Sequence, residues 1–442
     1  MFWTATIIFI AAYAAIVSEK INKTKVALFG AAITLVLKIL DQHEALHDVD
    51  LGVDWNVVFL LISMMIIVNI MTRTGVFQYM AVWAAKVAKG DPFRIMVLFA
   101  IVTAVCSAFL DNVTTVLLIA PVTLVVAGEL KVDPVPLLIT EVLASNIGGT
   151  ATLIGDPPNI MIGSRAGLDF VDFIVNLTPA VIIILVVWLI VWKFVFGRRY
   201  HVADELKARI MAMNPAELIS DMTLLKKSGA VLALTIGGFM AHGALGYEPA
   251  TVALMGAALL LIISGLDVHK ILSEVEWPTI FFFIGLFIII GGTIKAGLIS
   301  WLSQEMIAIT HPTPDNTFTL SMVMVWFSAI ASAIVDNIPF VATMNPLLVE
   351  TAGKLFGGPE GANALQHAAM MPVWWALALG ACLGGNGTAI GASANVIVVG
   401  IAGSAGHHIS FKRFLLYGLP VMLLSVIVSA LYIWVRYYIL NI

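Results

Sequence analysis

Apolar runs of spanning length, separated by short polar clusters, dominate the pattern along the chain. A transmembrane helix needs about 20 largely apolar residues. Runs of that kind lie near 2–18, 26–40, 55–72, 137–162 and 178–197, and again near 228–246, 249–266, 278–296, 372–402 and 413–436. Two further stretches, about 94–128 and 317–351, are longer than one span and carry polar residues at their centres. Each predicts a re-entrant hairpin that enters and leaves on the same side. The pattern therefore predicts an all-α polytopic membrane protein: an N-terminal repeat over 1–197, a polar linker over 198–227 and a C-terminal repeat over 228–442. Each repeat holds five spans and one hairpin, and an odd span count forces the second repeat to run through the bilayer in the opposite sense.

Charge and composition sharpen this picture. Only 11% of the 442 residues are Asp, Glu, Lys or Arg and 60% are hydrophobic, whereas soluble domains are about a quarter charged. A soluble enzyme is excluded on that ground, and there is no basic stretch of the nucleic-acid-binding kind. Cys106 and Cys382 suggest neither a disulfide framework nor a zinc site, and no cofactor motif is present. The linker carries Arg198, Arg199, Lys207, Arg209, Lys226 and Lys227. Lysine and arginine favour the cytoplasmic side, so the linker is expected in the cytoplasm, the acidic segment 41–50 outside, and the N-terminus outside, with Lys20, Lys23 and Lys25 marking the inner end of the first span. The chain is expected in the cell (inner) membrane.

The two repeats match in sequence. "VDWNVVFLLISMMIIVNIMTRTG" pairs with "VEWPTIFFFIGLFIIIGGTIKAG", setting Trp55 on Trp277, Arg73 on Lys295 and Gly75 on Gly297. "SAFLDNVTTVLLIAP" pairs with "SAIVDNIPFVATMNP", and "IGGTATLIGDPPNIMI" with "LGGNGTAIGASANVIV". The matched residues are mostly polar or Gly, which chance does not supply in an apolar sequence. Inverted repeats place the substrate at their interface near the bilayer midplane, where discontinuous helices meet.

The interruptions carry the candidate chemistry. Asp111 and Asp336 lie inside apolar stretches, and a carboxylate at bilayer depth costs several kcal/mol unless it faces a partner or a cavity. Each also suits a helix N-cap, with Pro339 in the turn that follows; capping and function are compatible. Gly148, Gly149, Gly155, Pro157 and Pro158 break the span 137–162, and the Gly-rich segment around 384–391 breaks 372–402. Non-helical backbone at membrane depth must be buried in protein or line a wet cavity. Asp156 is placed to cap the second half-helix of its break; Ala392 or Ser393 stands in the matching place, so the halves are chemically unequal. Thr150, Thr152, Asn159, Asn386, Thr388, Ser393 and Asn395 offer neutral hydroxyls and amides, either for solute or as glue between helices. Glu141 and Asn146 lie on the first half-helix; Glu141 is either intramembrane or at the cytoplasmic edge. Arg73 and Lys295 fall at span ends and are expected to snorkel. With Asp111, Asp156 and Asp336 in the pocket and no arginine clamp, a neutral polyhydroxylated solute or a cation fits better than a multiply charged anion. Burial disfavours the charged form of a carboxyl group, so the same three acids are candidate proton carriers.

"FLDNVTTVLLIAPVT", "EVLASNIGGTATLIGDPPNIMIG" and "GLDFVDF" resemble the ArsB / pink-eyed-dilution protein branch of the ion transporter superfamily, over essentially the whole chain. The resemblance implies ten spans with two hairpins. It also implies that Asp111, Asn112, Thr114, Thr115, the Asn146–Asn159 break and the second-half counterparts, Asn337 among them, line the site. It implies a secondary transporter exporting arsenite or antimonite in exchange for protons. Relatives in the superfamily include anion transporters of pigment organelles, sodium/proton antiporters and sodium–dicarboxylate symporters. A homodimer is common among relatives of this architecture, and docking of a cytoplasmic ATPase subunit on the linker stays open. With two cysteines at most, arsenite is expected as the neutral trihydroxide, hydrogen-bonded to Asn, Thr and Asp. A remote alternative is an intramembrane aspartyl protease; its usual Gly-x-Gly-Asp signature is broken here by Leu153.

Overall fold

The computed structural model describes residues 1–18, 20–197, 202–357 and 362–441. Arg198 and Arg199 of the linker lie outside the described residues. Nine principal helices build the first half: α1 (Phe2–Val17), α2 (Lys23–Val36), α3 (Trp55–Thr72), α4 (Val76–Val87), α5 (Pro92–Phe109), α6 (Asn112–Leu130), α7 (Val135–Gly149), α8 (Pro157–Ala166) and α9 (Phe170–Phe196). Nine follow in the same order in the second: α10 (Met222–Leu245), α11 (Pro249–Ser264), α12 (Trp277–Lys295), α13 (Leu298–Thr310), α14 (Phe318–Ile334), α15 (Asn337–Phe356), α16 (Met371–Gly384), α17 (Ser393–Ser404) and α18 (Phe411–Ile433). Each helix of the first half thus has its counterpart nine labels later. Prolines inside helices recur at matched places, Pro121 with Pro346 and Pro179 with Pro420.

The protein is an all-α polytopic membrane protein of two inverted repeats with hairpins and broken helices at the centre. Among the described residues seven helices are at least 18 residues long and apolar enough to cross a membrane, and α1, α7, α11, α14 and α17 are apolar but shorter. The shortness of α7 and α17 has a direct cause: each stops at a Gly-rich break and is continued, or preceded, by a second half-helix.

Local chemistry explains where the elements begin. Asp54, Asp91, Asp111, Asp221 and Ser410 each accept a backbone N–H two or three residues into the helix that follows, the preferred N-cap arrangement. The hairpins turn through a single extended residue before the capping acid: Leu110 (φ −126°, ψ 154°) before Asp111, and Val335 (φ −113°, ψ 139°) before Asp336. Two helices were not anticipated by the apolar pattern. α4 and α13 are 12 and 13 residues long, too short to span. α4 is amphipathic, burying Phe77, Ala81, Ala84 and Ala85 while Trp83 and Val87 stay exposed, the spacing of one helix face. The linker is also more structured than its polarity suggested, with a helix at Asp204–Ala212 and α10 beginning at Met222.

Packing interleaves the repeats. α2 lies along α12 and α3 along α11, each pair joining opposite halves. Within each half the first hairpin arm packs on the first half-helix, α5 on α7 and α14 on α16. Across the centre, α8 packs on α15 and α17 on α6. Glycine permits the closest contact. A Cβ on Gly148 would sit 2.1 Å from the Ala104 carbonyl oxygen, and one on the matching Gly384 would sit 2.5 Å from that of Ala329. Such backbone-to-backbone approach is how membrane helices associate where lipid gives no hydrophobic drive.

Gly148→Ala and Gly384→Ala are therefore expected to destabilise the protein by about 1–3 kcal/mol each, since the obstructing atoms are backbone and cannot rotate away. Gly229→Ala, with nothing within 4 Å of its added methyl, should not lower stability. Thermal unfolding in detergent, followed by size-exclusion fluorescence, separates the two outcomes; equal melting temperatures for all three variants would refute the contact.

Candidate functional site

The two breaks face one another around a single cavity of about 500 Å³. Its wall includes Asp111 and Asn112 from the first hairpin, Asp156 and Pro157 from the first broken helix, Asp336 and Asn337 from the second hairpin, and Ser393 from the second broken helix. Four helices, α6, α8, α15 and α17, start at this wall, so the positive ends of four helix dipoles converge on it. The cavity also meets the turn between α1 and α2, through Ile21, Asn22, Lys23 and Thr24, and the start of α12, through Glu276.

Each sequence-predicted residue has a definite place. The Asp111 carboxylate accepts the backbone N–H of Thr114 at 2.9 Å and the Thr114 hydroxyl. The Thr115 hydroxyl bonds the Asp111 carbonyl at 3.0 Å, so both threonines hold the turn rather than project into the cavity. Asp336 accepts the Ile338 N–H at 3.2 Å. Asp156 differs from expectation: it occupies the N-cap position of α8, yet its side chain makes no capping bond. It accepts the Asn337 amide instead, at 3.3 and 3.4 Å. Pro157 and Pro158 supply no N–H and the Asn159 N–H bonds the Asp156 carbonyl oxygen at 2.9 Å, so the carboxylate is held from the opposite repeat and lines the cavity.

Behind this wall the amides close the breaks. Asn146 is fully buried. Its oxygen accepts from Asn112 at 3.2 Å, and its nitrogen donates to the oxygens of Asn386 at 2.9 Å and Asn395 at 3.0 Å. Four asparagines from three interruptions, the first hairpin and the two broken helices, thus meet at one point. Asn159 donates to the carbonyls of Thr150 and Thr152 at 3.1 and 2.9 Å, and its counterpart Asn395 to those of Gly385 and Thr388 at 2.7 and 2.8 Å. The hydroxyls of Thr150, Thr152 and Thr388 bond the carbonyls of Asn146, Ala108 and Ala333. These side chains replace the helical bonds that Gly and Pro remove. The structure brings Asp111, Asn112, Asp156, Asp336, Asn337 and Ser393 to the cavity; Thr114, Thr115, Asn146, Thr150, Thr152, Asn159, Asn386, Thr388 and Asn395 form the layer supporting it.

Among the described residues the pocket lacks an arginine clamp, as expected, but one lysine reaches it. Lys23 Nζ stands 2.6 Å from Asp336 Oδ2 and 2.7 Å from Ser393 Oγ. Its sequence signal, a lysine at the end of an apolar run, marks sidedness and says nothing of a distant partner. Glu276 is a second omission; it stands opposite Asp54 when the repeats are aligned, which could have drawn attention to it. Glu141 is buried, with one oxygen accepting from Thr123 and the other unpartnered, and it does not line the cavity. Arg73 and Lys295 pair with Glu274 and Glu44. Cys106 and Cys382 are free and lie on separate helices.

The cavity is open beside the α1–α2 turn, where Ile21 is 52% exposed. At the far end of α8, about 14 Å along its axis by helical rise, ion pairs and a hydrogen bond tie the elements together. There Arg165 pairs with Asp50 at 2.7 Å, Ser164 donates to Asp54 at 2.7 Å, and Lys295 holds Glu44.

The citrate transporter family, CitMHS, matches residues 13–380. The chain belongs to that family. CitMHS lies within the ion transporter superfamily, and the chain is accordingly a membrane transporter. Similar proteins include an uncharacterized transporter of Mycobacterium tuberculosis, 48% identical over 436 residues and covering 99% of each chain. The 46 kDa membrane protein of Mycobacterium leprae is 45% identical over 437 residues, again 99% of each. The P protein of Homo sapiens is 33% identical over 510 residues, covering 98% of this chain and 60% of the longer relative. The resemblance to the P protein is thus met. Among solved structures, the YdaH transporter of Alcanivorax borkumensis shares the fold at a TM-score of 0.54 and 12% identity, covering 98% of each chain.

Replacing Asn146 by Ala is expected to strand the Asn112 donor and the Asn386 acceptor away from water, at about 1–3 kcal/mol for each orphaned group. Thermal unfolding of the purified variant should fall well below that of Thr114→Ser, which keeps the hydroxyl; a melting point equal to the parent protein's would contradict the network.

Proposed function

We propose that this CitMHS-family protein is a proton-coupled secondary transporter of a small neutral polyhydroxylated or cationic solute, with arsenite and antimonite as the first candidates. Four carboxylates, Asp111, Asp156, Glu276 and Asp336, surround one cavity against a single lysine already paired with Asp336, and this balance of charge is the observation that carries the reading. Neutral As(OH)₃ or Sb(OH)₃ would meet hydroxyl, amide and carboxylate groups and helix N–H donors. Without a cluster of thiols it would be released readily. Protons are exchanged at Asp111, Asp156 and Asp336, because an empty acidic cavity is favoured when its carboxyls are neutral.

Two other readings have specific support. The family description names citrate, whose three carboxylates would demand more cationic partners than Lys23 offers; helix N-termini alone would have to hold them. An acidic cavity equally suits a sodium/proton antiporter. An intramembrane protease finds less support, since Asp156 is engaged by an amide rather than by a second carboxyl.

With the linker cytoplasmic and the N-terminus outside in the inner membrane, the α1–α2 turn is cytoplasmic, so the cavity is loaded from the cytoplasm and the Arg165–Asp50 end faces outward. The linker helix 204–212 would be the docking surface for an ATPase subunit if one is used, and a homodimer would use faces away from the cavity.

Everted vesicles carrying the protein are expected to accumulate arsenite under a proton gradient and to lose that accumulation on adding an uncoupler. Citrate and sodium in parallel identify the competing readings, and failure of arsenite to move under any gradient would sink the leading one. Asp111→Asn, Asp156→Asn and Asp336→Asn should each lower the initial proton-driven rate at least about tenfold, the equivalent of about 1.4 kcal/mol. Unchanged rates in all three would remove the proton-carrier assignment. For sidedness, Ile21→Cys in a chain lacking Cys106 and Cys382 should react with an impermeant thiol reagent in everted but not in right-side-out vesicles.

A further inference from the structure

We propose that Lys23 is a tethered cation that occupies the solute site at Asp336 when no solute is bound, and that a small monovalent cation competes with it for that site. The inference rests on the cavity being the solute site and goes further, to a cation subsite within it.

Four observations carry it. First, the position is locally unfavourable. Lys23 is the first residue of α2 and no acidic residue stands in that turn; a cation at a helix N-terminus opposes the macrodipole. Its placement is explained only by a partner far along the chain. Second, the surroundings of Nζ are those of a bound cation. Asp336 Oδ2 is at 2.6 Å, Ser393 Oγ at 2.7 Å, and the Phe282 ring centroid at 5.0 Å. Ser393 in turn donates to Asp336 Oδ2 at 2.8 Å. Carboxylate, hydroxyl and aromatic face converge on one point from α15, α17 and α12, so the site is assembled without any contribution from α2 except the ammonium itself. Third, the ammonium can leave. The Lys23 side chain is 29% exposed and that of Asp336 11% exposed, and a flexible four-carbon stem follows the exposed Ile21 and Asn22. Fourth, the remaining charges facing the site, Asp111, Asp156 and Glu276, are all acidic, so nothing else in the cavity would compensate Asp336 when Lys23 departs. A cation must arrive as Lys23 leaves, or a proton must.

The consequence is a link between solute and conformation. Lys23 ties the α1–α2 turn to the second hairpin and the second broken helix. Tyr13 of α1 makes a neighbouring tie through its hydroxyl to the Pro339 carbonyl and Thr343, both at 2.7 Å. An incoming cation would release the first tie and leave the second.

The test uses the wild-type chain, purified in detergent, and an amine-acetylating reagent at limiting dose, with labelling read by peptide mass spectrometry. Sodium or potassium chloride is titrated at ionic strength held constant with N-methyl-D-glucamine chloride. Labelling of Lys23 is expected to rise roughly fivefold or more with one of the two ions, as a competitor moves it from mostly paired to mostly free, while Lys20 and Lys25 stay flat. In Asp336→Asn protein, Lys23 should label fast at every salt composition. A Lys23 response no different from that of Lys20 and Lys25 with both ions would overturn the proposal, as would protection of Lys23 that survives Asp336→Asn. Because labelling needs no transport, absence of arsenite movement in vesicles would leave this outcome legible on its own.

Discussion

Hydrocarbon offers no hydrogen bonds, so every amide and carbonyl freed inside the bilayer must find a partner within the protein. This chain frees many of them on purpose, at two hairpin tips and two glycine-rich breaks, and then returns each to a partner. The buried Asn146 is where that requirement is most concentrated: it touches three other asparagines, one from the hairpin of its own repeat and two from the broken helix of the other. The cavity exists because this layer behind it is complete. Loss of one amide there would cost more than a single bond, since the groups left behind would stay buried.

The same layer orders the chemistry in front. Helix starts point at the cavity because breaks, not loops at the surface, begin α6, α8, α15 and α17. Backbone dipoles therefore favour negative charge there, which is consistent with four acidic side chains gathered in an apolar protein. Asp111 and Asp336 are held by their own helices, Asp156 by Asn337 of the other repeat. Chemically similar groups are thus held by different tethers.

Much of this architecture was legible in the sequence, because the signals are local. Twenty-residue apolar runs, Gly-Gly and Pro-Pro inside a span, and an Asp-Asn pair before a helix are each read within a few positions. The repeat made them certain to face one another. What escaped notice was either short or distant. α4 and α13 are amphipathic pieces below spanning length, which an apolar-run reading passes over. Lys23 owes its place to Asp336, more than three hundred residues away, and looks like any snorkelling lysine until the helices pack. The side-chain bonding of Asp156 was also beyond local rules: its position said cap, and only the neighbouring repeat shows that the carboxylate turns elsewhere.

Asp156 has another implication. Its counterpart at the head of α17 is Ala392, so at this position the halves share a helix start and differ in charge. In an inverted-repeat carrier the two end states of the cycle arise when the halves exchange conformations. Were the halves chemically alike, those states would be equal in energy and the empty protein would rest equally in both. One acid present on a single side removes that degeneracy: solvent reaches a differently charged wall depending on which way the molecule faces. An unmatched carboxyl group is thus one source of inequality between the two ways the molecule can face.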